Sequence, residues 1–214
     1  MPEGATDFLP YSLGLALSCL VIITLTEKII RIFPWLLACL LRAKECNNLE
    51  DAFSIARARN SVCVGLTLPM ICIASLYRLY PPIEKLAGNA WGSLGLYAAL
   101  FAAYFLLRRI CTIIFRGEKT DRNSYAYCIR VTYSFCTISY LLVCVSAAVC
   151  ALCGADVCIT RAILLWELGI CYLMNLLRTT QIFAHYQGYL RAFLYLCTLE
   201  ILPTAILVIP AVIF

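Results

Sequence analysis

Histidine is almost missing from this chain: among 214 residues, His185 is the single imidazole. One histidine cannot build the usual histidine-rich zinc sets. It also falls in a connection between apolar segments, among Phe183, Tyr186, Tyr189 and Arg191, the pattern of an interfacial aromatic belt. Nucleophile-and-base catalysis built on a histidine is therefore not expected. A GxSxG elbow, a P-loop and a dinucleotide fingerprint are all missing from the sequence. No metal or other cofactor is expected, and these absences lean against an enzyme without deciding the point. Charge is scarce as well, at 14%, far below what a soluble surface carries. The formal net charge of +5 has no soluble basic surface on which to gather, which excludes nucleic acid as a partner. Residues 1–10 contain Glu3 and Asp7 and no basic residue. A cleaved signal peptide would need a positive region ahead of its apolar core, so none is expected.

What is present is hydrophobic length. Apolar residues make up 63%, and the mean hydropathy is +0.88. A helix needs about 20 apolar residues to cross a hydrocarbon core about 30 Å thick. Segments 8–26, 61–80, 87–115, 125–150, 157–177 and 190–214 qualify. The expected fold is all-α: a polytopic membrane bundle of six transmembrane helices, forming a single domain over residues 1–214, with the lipid bilayer as its first partner. Basic residues set the orientation. Lys28, Arg31, Arg42, Lys44, Arg57 and Arg59 follow the first span. Arg108, Arg109, Arg116, Lys119, Arg122 and Arg130 lie between the third and fourth. Arg178 and Arg191 lie between the last two. The opposite side has only Arg78, Lys85 and Arg161. This alternation predicts cytoplasmic basic connections and both termini outside.

Two stretches interrupt the simple pattern. Segment 29–41 is apolar but too short to cross, is broken by Pro34 and is flanked by Arg31, Arg42 and Lys44. It reads as interfacial or re-entrant, with Trp35 at headgroup depth. Asn47 and Asn48, followed by Glu50 and Asp51, predict the start of an amphipathic helix over 49–60. That helix would run along the cytoplasmic face into the second span, offering Arg57 and Arg59 to a partner protein. In the third span, Gly88 and Gly92 form a GxxxG spacing that Gly95, Ala99, Ala102 and Ala103 extend. Small residues let membrane helices approach closely, so this stripe is expected to pack inside the bundle, with a partner helix or a second copy as the other use.

Two carboxylates fall at membrane depth. Glu167 is ten residues into the fifth span and Glu200 ten residues into the sixth, each about 15 Å from its surface. A mid-membrane carboxylate costs roughly 2.5–3.5 kcal/mol on insertion scales, which by default marks a site. Pro203 adds to it by freeing the carbonyl of Leu199, one residue before Glu200. A facing Glu167–Glu200 pair would keep one proton near neutral pH, through repulsion and desolvation. Thr137 and Tyr140, with Ser134, Ser139 and Ser146 nearby, would line the same polar core from the fourth span. The bland alternative is structural: both glutamates hydrogen-bond across helices. Arg108 and Arg109 could hold an anionic lipid headgroup or serve only as topology anchors. Most of the 14 cysteines fall within spans and read as small hydrophobes. Cys150, Cys153 and Cys158 cluster at the outer end, where a disulfide remains open.

The last span carries Leu194-Tyr195-Leu196-Cys197-Thr198-Leu199-Glu200-Ile201-Leu202-Pro203. This resembles the carboxy-terminal signature of a family of small multi-pass membrane proteins of Bacteroidota, known as a domain of unknown function. The resemblance implies a Gram-negative inner membrane and a periplasmic outer face, and it implies no activity. Two functions remain in view, while a third, an intramembrane enzyme acting on lipid-linked substrates, rests on little more than Arg108, Arg109 and the acidic pair. The first is a non-enzymatic subunit or scaffold of a cell-envelope assembly, working with a partner membrane protein or as a homo-oligomer. The alternative is a small proton-coupled carrier using Glu200 and Glu167, against which stands the lack of a convincing inverted repeat.

Overall fold

The computed structural model describes residues 4–41, 53–114 and 122–187, together with Ile201, Leu202, Thr204 and Ala205. Among them every regular element is a helix: α1 (Gly4–Leu41), α2 (Phe53–Leu76), α3 (Pro81–Leu86), α4 (Ala90–Ile114), α5 (Arg122–Leu152) and α6 (Val157–Gln187). Five of these are long and apolar enough to cross a membrane, over Pro10–Ala38, Ser54–Leu76, Ala90–Ile110, Thr132–Leu152 and Val157–Gln181. The sixth expected span, 190–214, lies outside the described residues, apart from those four.

Segment 29–41 is not a separate piece: it continues α1 without a break through Pro34. Proline frees one carbonyl per helix interior, and packing against neighbouring helices tolerates that defect in a membrane. The 29-residue apolar stretch of α1 is about 43 Å long, more than a hydrocarbon core needs, so α1 tilts or projects beyond it. Trp35 is half-buried and packs on the core of the bundle. The amphipathic helix expected over 49–60 is described from Phe53 onward, where it is the first part of α2 itself.

α2 is the hub, touching α1, α4 and α5, while α6 packs on α5. Lys28 Nζ donates to Ser61 Oγ at 3.0 Å, and a Cβ on Gly65 would run into Leu25. The low end of α2 therefore meets the high end of α1: the pair is antiparallel, and Gly65 permits the close approach. Its core includes Leu25, Ile32, Val62, Leu66, Val143 and Leu164, contributed by four helices.

Turn chemistry closes the reversals that fall among the described residues. Asp156 caps α6, its Oδ1 accepting from the Val157 N–H at 2.9 Å. α5 ends in Gly154 at φ 66, with Ala155 N–H on the Cys150 carbonyl at 3.0 Å and Gly154 N–H on Ala151 at 3.3 Å. α2 ends the same way around Arg78 at φ 51, with Leu79 N–H on Ala74 at 3.0 Å. Both are Schellman closures; glycine takes the left-handed position freely, and arginine is strained there. Beyond that corner the Tyr97 hydroxyl accepts the Tyr80 N–H at 2.8 Å, and Ser75 and Ser93 hydroxyls meet at 2.9 Å. These contacts tie the top of α2 to α4. Pro81 and Pro82 occupy the first turn of α3, where their missing amides are unneeded. Asn89 caps α4, its Oδ1 accepting from the Gly92 N–H at 2.7 Å.

Candidate functional site

Glu167 lies on the face of α6 that packs against α5. Ser146 of α5 donates its hydroxyl to Glu167 Oε1. The second oxygen, Oε2, is buried and has no hydrogen-bond partner among the described residues. Asn175 and Thr179 follow at helical spacing on that face, 6% and 1% exposed. Asn175 Oδ1 and Thr179 Oγ1 are likewise buried without a described partner. Spacings of eight and four residues put the three groups on one stripe about 18 Å long. A seam of this kind can link helices through hydrogen bonds.

Glu200 and Pro203, expected to complete the carboxylate pair, lie outside the described residues. Thr137 and Tyr140 are described, and they do not join Glu167. The Thr137 hydroxyl donates to its own helix, at the Tyr133 carbonyl, 2.8 Å away, and Thr137 also meets Cys63 of α2. Tyr140 is buried against Phe101 of α4, ring centroids 6.5 Å apart. Both face the α2–α4 side of α5, away from α6. The residue that reaches Glu167 is Ser146. Counting back from the α5–α6 turn puts Ser146 within about a turn of Glu167's depth, a signal the sequence contains.

The basic end of the bundle holds a second arrangement. Arg59, expected to face a partner, is 1% exposed and belongs to the bundle interior. Its Nη1 donates to Ser134 Oγ at 3.0 Å, while Nε and Nη2 donate to Asn60 Oδ1 at 3.2 and 3.1 Å. A buried guanidinium held on several oxygens pins α2 to α5. Arg57, two residues earlier, is exposed.

One turn above Arg59, a cavity of about 560 Å³ opens between α2, α4 and α5. Cys63, Val64 and Thr67 form one wall, Phe105, Arg108 and Arg109 the second, Tyr133 and Cys136 the third. Among the described residues no carboxylate lines it. Near the opposite end a smaller cavity of about 210 Å³ is almost wholly apolar, between α1, α2 and α5. Cys150, Cys153 and Cys158 are free thiols, the first buried and the others exposed.

Among the described residues, part of the small-residue stripe of α4 is exposed, while a Cβ at Gly92 would meet the Asn89 side chain. A Cβ at Gly88 or Gly95 would meet open space, and Ala98, Ala99, Ala102 and Ala103 are exposed. Among the described residues the buried face of α4 is made by Ala90, Ser93 and Tyr97.

Comparison with protein-family models, with curated proteins and with solved structures found no match to this chain.

Proposed function

We propose that this chain is a non-enzymatic integral membrane subunit of a cell-envelope assembly, working by helix-to-helix contact within the bilayer. One observation carries this reading: Gly95, Ala99 and Ala103 of α4, at four-residue spacing, are exposed among the described residues. Such a ridge lets a second helix approach closely, and in lipid that close packing, rather than hydrophobic burial, drives association. The setting we propose is a Gram-negative inner membrane, as the resemblance of the last span implies, with the arginine-rich end in the cytoplasm. Purification in mild detergent and mass determination of the intact particle test the reading. A second protein or second copy in fixed ratio is expected, released by Ala99→Leu with the chain's abundance unchanged. A lone wild-type monomer overturns it.

A second reading has its own support in the Glu167 seam. A carboxylate at mid-span with one oxygen unpartnered among the described residues, above Asn175 and Thr179, suits a proton-coupled carrier. In that case Glu167→Gln abolishes transport in proteoliposomes and leaves folding intact.

A further inference from the structure

We propose that the smaller cavity, between α1, α2 and α5, binds a single-chain membrane lipid with a small uncharged head, the head seated at Tyr11 and Tyr77. The packing comes first. Protein interiors are close-packed, and voids larger than a water molecule are few. Small side chains open one here. On α1, Gly14 faces Cys72, whose thiol sulfur is 3.0 Å from the point a Cβ would occupy, and Ala147, Ala148 and Ala151 form the α5 wall. The space is about 210 Å³. An apolar cavity of about 150 Å³ is enough to stay dry and take a benzene-sized guest. Ser18, the one residue with a hydroxyl deep in the lining, donates its hydrogen to the Gly14 carbonyl at 2.7 Å. A hydrocarbon chain in this space supplies the van der Waals contacts that the empty cavity lacks.

Position and shape then select the guest. Tyr11 stands at the start of the span Pro10–Ala38, and Tyr77 directly follows the span Ser54–Leu76. Because α1 and α2 are antiparallel, both phenols lie at one membrane surface, the depth at which tyrosine is enriched. Both line the cavity, which follows α2 inward from Tyr77 to Pro69, a depth of about 12 Å. A slot of this volume spread over that depth takes one hydrocarbon chain rather than the paired chains of a phospholipid. Leu15 and Leu76 line it, are 48% and 38% exposed and lie within spans. The slot therefore opens sideways to the bilayer, the source of its guest. Among the described residues no charged side chain lines it, so nothing there offsets the desolvation of a charged head. A phenol hydroxyl both donates and accepts, which suits a neutral head carrying hydroxyl or ester oxygens. A monoacylglycerol has this form. The inference is independent of whether the chain is a subunit or a carrier.

The test uses the purified full chain in a steroid-based detergent, which has no flexible chain to compete for the slot. Thermal unfolding is read against monolaurin, laurate and dodecane, which share one chain length and differ in the head. A ligand that binds the folded state raises Tm. Monolaurin is expected to give the largest rise, and added salt to leave that rise unchanged because no charge pairing is involved. Tyr11→Phe and Tyr77→Phe should each lower the apparent affinity about three- to five-fold, the effect of losing one hydrogen bond. Ala148→Leu puts a larger side chain into the slot and should lower it about ten-fold. The wild-type comparison needs no variant, so it holds even if a substitution impairs folding. No rise from monolaurin, or an equal rise from dodecane or laurate, overturns the proposal. So does an unchanged affinity in Ala148→Leu or in both tyrosine variants.

Discussion

Replacing Glu167 acts on two separate steps, and the two effects have opposite signs. During insertion, leucine is preferred at mid-span over a carboxylate by roughly 3 kcal/mol, so Glu167→Leu should insert at least as well as wild type. Once the helices are in the bilayer, that difference is already present in the unassociated state and drops out of the folding equilibrium. What folding then loses is the Ser146–Glu167 hydrogen bond. Interhelical hydrogen bonds in membranes average about 0.6 kcal/mol and reach about 1.7. The lower half of that range is favoured, because a serine left alone on a helix can bond its own i−4 carbonyl, here that of Leu142. Leucine is close to glutamate in volume, so repacking should add less than about 1.5 kcal/mol. The assay is unfolding of the purified chain by SDS in mixed micelles, run as a double-mutant cycle with Ser146→Ala. A coupling energy of about 0.5–1 kcal/mol is expected, with Glu167→Gln retaining most of it because the amide oxygen still accepts. A coupling under about 0.3 kcal/mol, the usual limit of additivity for independent sites, would refute the claim that Glu167 and Ser146 join α5 to α6.

Two further outcomes follow from the geometry. Arg59→Leu should destabilise the bundle by about 3 kcal/mol, since hydrogen bonds to a charged donor contribute about 1.5–3 kcal/mol and Ser134 loses its buried partner; Arg59→Lys should recover only part of this, and unaltered SDS unfolding in both would show that Arg59 does not brace α2 against α5. Gly154→Ala puts a Cβ at φ 66 and should cost about 1–2 kcal/mol, read in the same unfolding assay, while Gly154→Asn should cost less; no change would mean that the α5–α6 turn adopts another closure.

Several features of the site are legible in the sequence, and others are not, for physical reasons. Arg57 and Arg59 sit two positions apart, about 200° around a helix, so one of them had to face a different way from the other. That much is in the sequence; which one enters the bundle is not. Pro34 and the brevity of 29–41 argued for a break, yet α1 runs through, because lipid penalises exposed backbone far more than a single lost hydrogen bond. Thr137 and Tyr140 share a stripe with each other, as expected, but that stripe faces α2 and α4. Ser146, the partner that Glu167 uses, was one of several serines on the same span. The glycine and alanine ridge of α4 was readable as a close-approach surface, and only the arrangement of neighbours left part of it exposed.

The sequence alone determined that the chain forms helices long and apolar enough to cross a membrane, and roughly where most of those helices begin and end. Hydrocarbon leaves the backbone no other way to satisfy its hydrogen bonds, and apolar length is read directly. Azimuth was decided only by the tertiary structure: which side of each helix meets a neighbour and which meets lipid. In a soluble protein the polar face reports that orientation. Here 63% of residues are hydrophobic, and exposed positions such as Ile23, Leu106 and Trp166 are as apolar as buried ones. Periodicity carries little orientation when both sides of a helix face an oily medium. The burial of Arg59, the Ser146–Glu167 contact and the arginine-lined cavity all depend on that azimuth, so they emerged only when the helices were packed together.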